Sequence, residues 1–416
     1  MADSLLPAVV LGIDTPIGLA IIRDLGRRGV PVYGIARSST ALGLRSRFLR
    51  RGLLRASGGA AGLQQQLSQL AEEIGCACLF AIAESDITTL NTMRDVLPSY
   101  RLMFPDNQRM ERVLRKDQTY AAAAQVGLDV PRTVHPASFG EVLAAAATLR
   151  YPVVLKWADP NAAVVALSRA GLPLEKLEYC VDATALLACL RRYQAIGSYP
   201  MVQEFCPGYG LGQFVLMRGG EAHYRFQHRR LHEWPPEGGV STLCTSLPPT
   251  AHAELMEQSV ALLRALDWEG VAMVEYRYDP ETGRAALMEI NGRFWGSLPL
   301  ACQAGAAFPW LVYQLFGLDR PVAQTPYIAG MRARFMAPES KRLWRVLTRP
   351  PVHAHVVQGT ARAELCGYLA DFLRPNTRYF VHSWGDPMPL LSDVAGVLAR
   401  QLRQLRLVRK LHRSKT

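Results

Sequence analysis

Hydrophobic and polar positions alternate most tellingly between Gly270 and Ser297. There VAMVEYRY and AALMEI read as two apolar strands, and Asp279, Pro280 and Gly283 between them are turn residues, so a hairpin is predicted. Glu275 and Glu289 then fall near each other on paired strands. Asn291 follows Glu289 by two residues, on the same side of an extended strand, and Arg293 keeps the alternation.

The pattern elsewhere predicts a mixed α/β chain. AVVLGID, TPIGLAIIRDLGRRG and VPVYGIA read as strand, helix and strand, a Rossmann-like βαβ opening. Gly12 and Gly18 lack the central glycine of a dinucleotide fingerprint, and no acid ends the second strand. CACLFAIAESD is a buried strand ending in Glu84, Ser85 and Asp86, where α/β sheets present ligands, and helical and turn material is expected from there to Pro105. Lys116 precedes the helix QTYAAAAQVGL, which Asp117 caps and Gly127 closes. Ser138 with Glu141 forms a capping box for the next helix, and YPVVLKW is a strand ending near Lys156. Asp182 caps ATALLACLRRY, and YPMVQEFCPG is a strand entering a turn. A hairpin turning at Gly219 and Gly220 leads to an arginine-rich loop, where Arg229 and Arg230 suit a negatively charged substrate. The glycine-containing PPEGGVST and an amphipathic helix from Thr250 to Trp268 complete the approach to the Glu275–Glu289 hairpin.

Composition narrows the class. The 416 residues are long enough for two or three domains, and 49% apolar with 20% charged residues is the balance of a soluble globular protein. Eight cysteines, at 76, 78, 180, 189, 206, 244, 302 and 366, form no C-x-x-C or regular framework, which fits a reduced cytoplasmic setting. His228 and His232, and His353 and His355, lack companions at zinc-site spacing. The N-terminus has no basic leader, so no signal peptide is expected, and Leu298 to Leu318 is interrupted by Gln303, Pro309 and Gln314, as in a buried helical segment rather than a membrane span. Of the net charge of +12, seven positive charges lie between Arg400 and Lys415 with no acid among them, so the basicity belongs mostly to the tail. The tail also has apolar residues at 394, 397, 398, 402, 405, 408 and 411. It suits an anionic lipid surface, an acidic partner or a core-packed helix with a solvated basic face. No aromatic interleaving favours nucleic acid.

Two carboxylates in apolar strands repel each other and are poorly hydrated unless a cation lies between them. Magnesium suits hard oxygen donors, and Asn291 adds a carbonyl oxygen to Glu275 and Glu289. The plainer alternative leaves both glutamates on a solvent face, paired with Arg277 and Arg293. The Glu, Glu-x-Asn-x-Arg order resembles the ATP-grasp superfamily, and within it the carboxylate–amine ligases related to the carbamoyl-phosphate synthetase large chain. That resemblance covers roughly the first three quarters of the chain, tightly from Lys116 to Ser297.

The resemblance implies an α/β (α+β) fold, in which a Rossmann-like domain over 1–113 precedes an ATP-grasp domain over 114–320. A lid subdomain at about 130–200 lies within the latter, and a C-terminal extension with a basic amphipathic tail occupies 321–416. It implies ATP with magnesium, manganese being an alternative, on Glu275, Glu289 and Asn291. Lys116 and Lys156 would meet phosphates, Glu204, Phe205 and Cys206 the adenine, and Gln213 the ribose. Arg293 and Lys156 would act in catalysis, with Glu84, Asp86, Arg229 and Arg230 at the substrate. ADPNAAVVALSRAGLP departs from the pattern, since a glycine- and serine-rich phosphate-covering loop is expected after Lys156. The implied activity joins a small carboxylate to an amine through an acyl phosphate, releasing ADP and phosphate, in a cytoplasmic protein compatible with a homodimer. The rival from another class is an inactive, nucleotide-responsive scaffold recruited to a membrane or an acidic partner through residues 394–416.

Overall fold

The computed structural model describes residues 5–157, 160–175, 177–236, 238–348 and 360–396. The chain opens on a parallel sheet of β1 (Ala8–Leu11), β2 (Val32–Ala36), β3 (Leu49–Leu54), β4 (Ala77–Ala81) and β5 (Tyr100–Leu102), in the order β3-β2-β1-β4-β5. β1 and β4 are apolar throughout because both of their faces are covered. Helices α1 (Pro16–Gly26), α2 (Gly59–Ile74) and α3 (Glu84–Thr92) belong to this unit. Thr15 caps α1, and a Cβ on Gly18 would stand 2.7 Å from the Ile13 Cα, so that glycine serves the close approach of helix to strand. β5 lies within the stretch expected to be only helix and turn.

Helices α4 (Asn107–Leu114) and α5 (Lys116–Gln125) lead out of this domain. Arg115, not Asp117, takes the cap position of α5. Asp117 sits in the first turn and pairs with Arg115 at 2.7 Å, a local ion pair that leaves it unavailable as a cap. A small antiparallel sheet follows, β6 (Thr133–Val134), β7 (Val153–Lys156), β8 (Glu178–Cys180) and β9 (Met201–Glu204), ordered β6-β9-β7-β8. With α6 (Phe139–Ala146), α7 (Pro160–Arg169) and α8 (Ala183–Arg191) it encloses its own core of Val142, Val153, Leu155, Leu186, Leu190 and Val202. Ser138 and Asp182 cap α6 and α8 as expected. Where a glycine-rich loop would have followed Lys156, the chain forms α7.

The third sheet has seven strands: β10 (Tyr209–Arg218), β11 (Glu221–Trp234), β12 (Val240–Ser246), β13 (Gly270–Tyr278), β14 (Ala285–Asn291), β15 (Arg332–Arg334) and β16 (Thr377–Tyr379). Their order is β14-β13-β10-β11-β12-β15-β16. Helix α9 (Ala253–Ala265) covers one face. The other face packs Phe214, Phe226 and Trp295, with α10 (Leu298–Gln303) and α11 (Phe308–Val312), against the first domain in a shared core. The arginine-rich stretch expected to be a loop is the second half of β11, because its residues pair with β12 as far as Trp234. A π-helical turn, Tyr313–Gly317, ends the apolar segment after α11, and no described helix is long and apolar enough to cross a membrane.

The described residues after 330 are continuous with this core rather than appended to it. β15 and β16 extend the central sheet, α12 (Met336–Thr348) packs on β11 and β12, and α13 (Ala361–Leu373) packs on α12. Asp386 returns to the first domain, where it accepts from Arg23 at 2.9 Å and Ser46 at 2.7 Å. The basic tail beyond 396, and His353 and His355, lie outside the described residues.

Candidate nucleotide and metal site

A cleft of about 870 Å³ opens between the three sheets, and the β13–β14 hairpin forms its floor. Glu275 and Glu289 are register partners across that hairpin. On the far side of β13, Gly212 of β10 faces Glu275. Two glycines alternate here, and a Cβ on Gly210 would stand 2.8 Å from the Arg230 Cδ. The bare strand lets Arg230 cross from β11 to Glu275, which it reaches at 2.5 Å, while a second contact at 3.3 Å goes to Glu233.

The floor pairs a half-buried carboxylate, Glu275, which Arg230 holds, with an exposed one, Glu289. Burial raises the Glu275 carboxyl above its ordinary pKa, although Arg230 pulls it down and Glu289 adds to the rise. Asn291 donates to Glu289 at 3.0 Å, and rotating its amide would turn a carbonyl oxygen toward the same space. Among the described residues no three His, Cys, Asp or Glu side chains gather for a metal. The candidate set is two carboxylates and an amide, a hard oxygen donor set that suits magnesium sharing its remaining positions with phosphate oxygens. The plainer alternative holds in part: Glu289 is exposed, but neither glutamate takes the arginine partner expected of it. Glu275 pairs with Arg230, Arg277 with Glu233 at 3.5 Å, and Arg293 with Glu84 at 3.0 Å.

The walls bring in two lysines. Lys156 ends β7, and its Nζ donates to the Gln203 Oε1 at 3.1 Å. Burial, and secondarily the Lys116 charge, lower its pKa. Lys116, at the start of α5, lines the same cleft. Glu204, Phe205 and Cys206 line it too, at the turn out of β9. The Glu204 carboxylate is held by the Arg150 N–H at 2.9 Å, and the Phe205 N–H donates to the Pro152 carbonyl at 3.0 Å. Gly208 closes that turn at φ +92°, where a Cβ would fall 1.9 Å from the Tyr278 carbonyl oxygen.

Three expected site residues lie elsewhere. Gln213 is fully buried beneath α9, where its amide meets Gln227, the His252 carbonyl and Ser259. It neighbours Gly212, which partners Glu275, and strand alternation turns it to the other side. The same alternation points Arg229 away from Arg230, and its guanidinium lies 4.9 Å from the centre of the Tyr209 ring. Asp86 is two residues round α3 from Glu84 and is buried between Arg37 and Arg55. Conversely, Gln203 and Glu233 line the cleft, and Gly210 makes room for Arg230 and Glu233; none of the three was singled out from the sequence. The polar Gln203 in an apolar strand and the alternating glycines of GYGLG were the available signals.

His228 and His232 make hydrogen bonds within the fold. His228 is fully buried with its Nε2 2.6 Å from the Ser297 Oγ, and burial lowers it to about 3, so it is neutral. His232 meets the buried Glu339 at 2.6 Å.

Comparison with known proteins gives a consistent picture. A family described as "ATP-grasp in the biosynthetic pathway with Ter operon" matches residues 217–337. The D-alanine–D-alanine ligase of Acidiphilium cryptum (strain JF-5) is 30% identical over 99 residues, 23% of this chain and 33% of that protein, so the chain spans about a third of that relative's length. An L-amino acid ligase from Bacillus licheniformis superposes with a TM-score of 0.54 at 16% identity, covering 75% of this chain and 74% of that one. The biotin carboxylase domain of Hydrogenobacter thermophilus 2-oxoglutarate carboxylase, solved with MgADP, ADP and bicarbonate, superposes with a TM-score of 0.60 at 12% identity, covering 79% and 74%.

Proposed function

We propose that this chain, an ATP-grasp protein, is an ATP-dependent ligase that joins a small-molecule carboxylate to an amine through an acyl phosphate, releasing ADP and phosphate. The observation that carries the reading is the facing pair Glu275 and Glu289, with Asn291 beside them, on the floor of a cleft whose walls supply Lys116, Lys156 and Arg293. Such a transfer needs positioning and charge neutralisation more than a protein nucleophile, and this residue set supplies both.

Glu275, Glu289 and Asn291 would hold the cation, magnesium in preference to manganese. When bound, it would bridge phosphate oxygens and offset charge that develops during transfer. Lys116 and Lys156 would hold the nucleotide phosphates, and an incoming anion would favour the protonated form of Lys156 that burial now disfavours. Gln203, already hydrogen-bonded to Lys156, positions it. Adenine would lie against the β9 turn at Glu204–Cys206. Arg293, tied across the domain boundary to Glu84, would grip the reacting carboxylate or its phosphorylated form with its planar fork, and Arg230 is the second anion-binding guanidinium.

The deciding experiment incubates the purified protein with ATP, magnesium and pooled carboxylic and amino acids, with Glu289→Ala as control. ADP and phosphate released only with a particular pool, and lost in the variant, support the ligase. AMP and pyrophosphate would replace this reading with adenylation. Nucleotide binding without turnover in any pool would favour a scaffold.

A further inference from the structure

Helix α13 is built inside out. A surface helix normally turns its apolar stripe to the core. Of the 13 residues of α13, only Asp371 is buried. Its outward face carries Leu365, Leu369, Phe372 and Leu373, spaced i, i+4, i+7, i+8 and 41, 54, 48 and 87% exposed. The inward face is polar because β15 presents arginines to it. Arg332 donates to Asp371 at 3.2 Å, and the Arg334 guanidinium lies 3.8 Å from the centre of the Tyr368 ring.

The apolar face continues beyond the helix. Ring contacts run from Phe372 to Tyr379, His382 and Trp384, with centroids 6.3, 5.8 and 4.7 Å apart, ending at a tryptophan 89% exposed. On α12, Ser340 meets the Tyr368 hydroxyl at 2.8 Å, and Trp344, one turn further along the same helix, is 70% exposed. At about 200 Å² per large aromatic side chain, Trp344, Phe372 and Trp384 alone expose roughly 400 Å². With the leucines added, this exceeds what a monomer ordinarily leaves bare without a use for it.

Charge selects the occupant. The exposed charges of this face, Lys341, Arg362, Arg374 and Arg378, are cationic, Arg374 pairing with Asp371 at 3.2 Å, while Glu339, Asp371 and Asp386 are turned inward and buried. The sequence after Asp393 adds seven more cations and no acid. A second copy would bring like charges together, and the chain's own basic tail would meet a basic rim. An anionic bilayer matches both halves of the pattern, since tryptophans and leucines seat at the headgroup boundary and arginines among the phosphates. We propose that the face formed by α12, α13 and Trp384 docks this protein on an anionic lipid bilayer.

The test sediments the full-length protein with phosphatidylcholine vesicles, with and without phosphatidylserine. Wild type is expected to co-sediment only with the anionic vesicles and to be released by salt. The double substitution Leu373→Glu, Trp384→Glu, at two exposed positions, should partition at least about tenfold more weakly while its circular dichroism and melting curve stay unchanged. Three results overturn the proposal. Wild type stays in the supernatant, or the double variant binds as well as wild type, which would leave the basic tail as the whole anchor. In the third, wild type without lipid is a dimer that Leu373→Glu splits, which would make a second copy the occupant.

Discussion

Replacing Arg230 by methionine tests the cation site without needing the substrate. Arg230 reaches Glu275 at 2.5 Å and Glu233 at 3.3 Å, with side chains only 15, 13 and 11% exposed. Removing one partner of a buried pair costs about 3–5 kcal/mol, and the residual exposure here points to about 3 kcal/mol. At roughly 1 °C per kcal/mol for a chain of 416 residues, the melting temperature in EDTA should fall by about 3 °C. The two carboxylates at 275 and 289 then have no cation, so magnesium should bind the variant without nucleotide. At a hundred times its Kd it would restore about 2.7 kcal/mol. The assay is a thermal melt of wild type and Arg230→Met, each in EDTA and in excess magnesium. Recovery of most of the lost stability by magnesium in the variant alone is expected. An Arg230→Met protein that melts at the same lowered temperature with and without magnesium would show that Glu275 and Glu289 do not form a cation site.

Other outcomes follow from the same geometry. Glu289→Ala and Lys156→Ala should each lower ATP turnover by at least about a hundredfold with little change in melting temperature, because both side chains line the cleft and neither fills the core. Full activity in both would remove the proposed site. Glu339, held below its ordinary pKa by His232, Thr242 and Arg342 against the cost of burial, contributes stability above the unfolded carboxylate value that is lost as pH falls through its folded value. Glu339→Gln should therefore flatten the acid limb of the stability curve below about pH 4.5, as measured by urea unfolding across pH. Because burial raises the Glu275 pKa, magnesium competes with a proton there and its affinity should increase with pH across that titration. Calorimetry in buffers of different ionisation enthalpy, repeated across pH, would count the protons that binding releases. Gly208→Ala should cost more than about 2 kcal/mol, because φ of +92° and the Tyr278 carbonyl both exclude a side chain.

Local chemistry determined much of this protein. The hairpin of Glu275 and Glu289, the βαβ opening, the caps at Ser138 and Asp182 and the Gly219–Gly220 turn are all set by residues within a few positions of one another, through strand alternation, capping hydrogen bonds and positive φ. What those rules could not reach is which face of a strand looks into the cleft when both of its faces are buried. Arg229 and Arg230 are equally basic neighbours, as Gly212 and Gln213 are neighbours in one apolar strand, and only the packing of α9 on one side and the cleft on the other separates them. Partner choice was equally out of reach. Glu275 pairs with Arg230, 45 positions away, and Arg293 with Glu84, 209 away, because sheet order brings β11 beside β10 and carries the first domain over the hairpin. The tertiary structure also decided the fate of the chain after 330. Its strands are only three residues long, too short to announce themselves by periodicity, yet they finish the central sheet and leave an inverted helix with its apolar side facing outward.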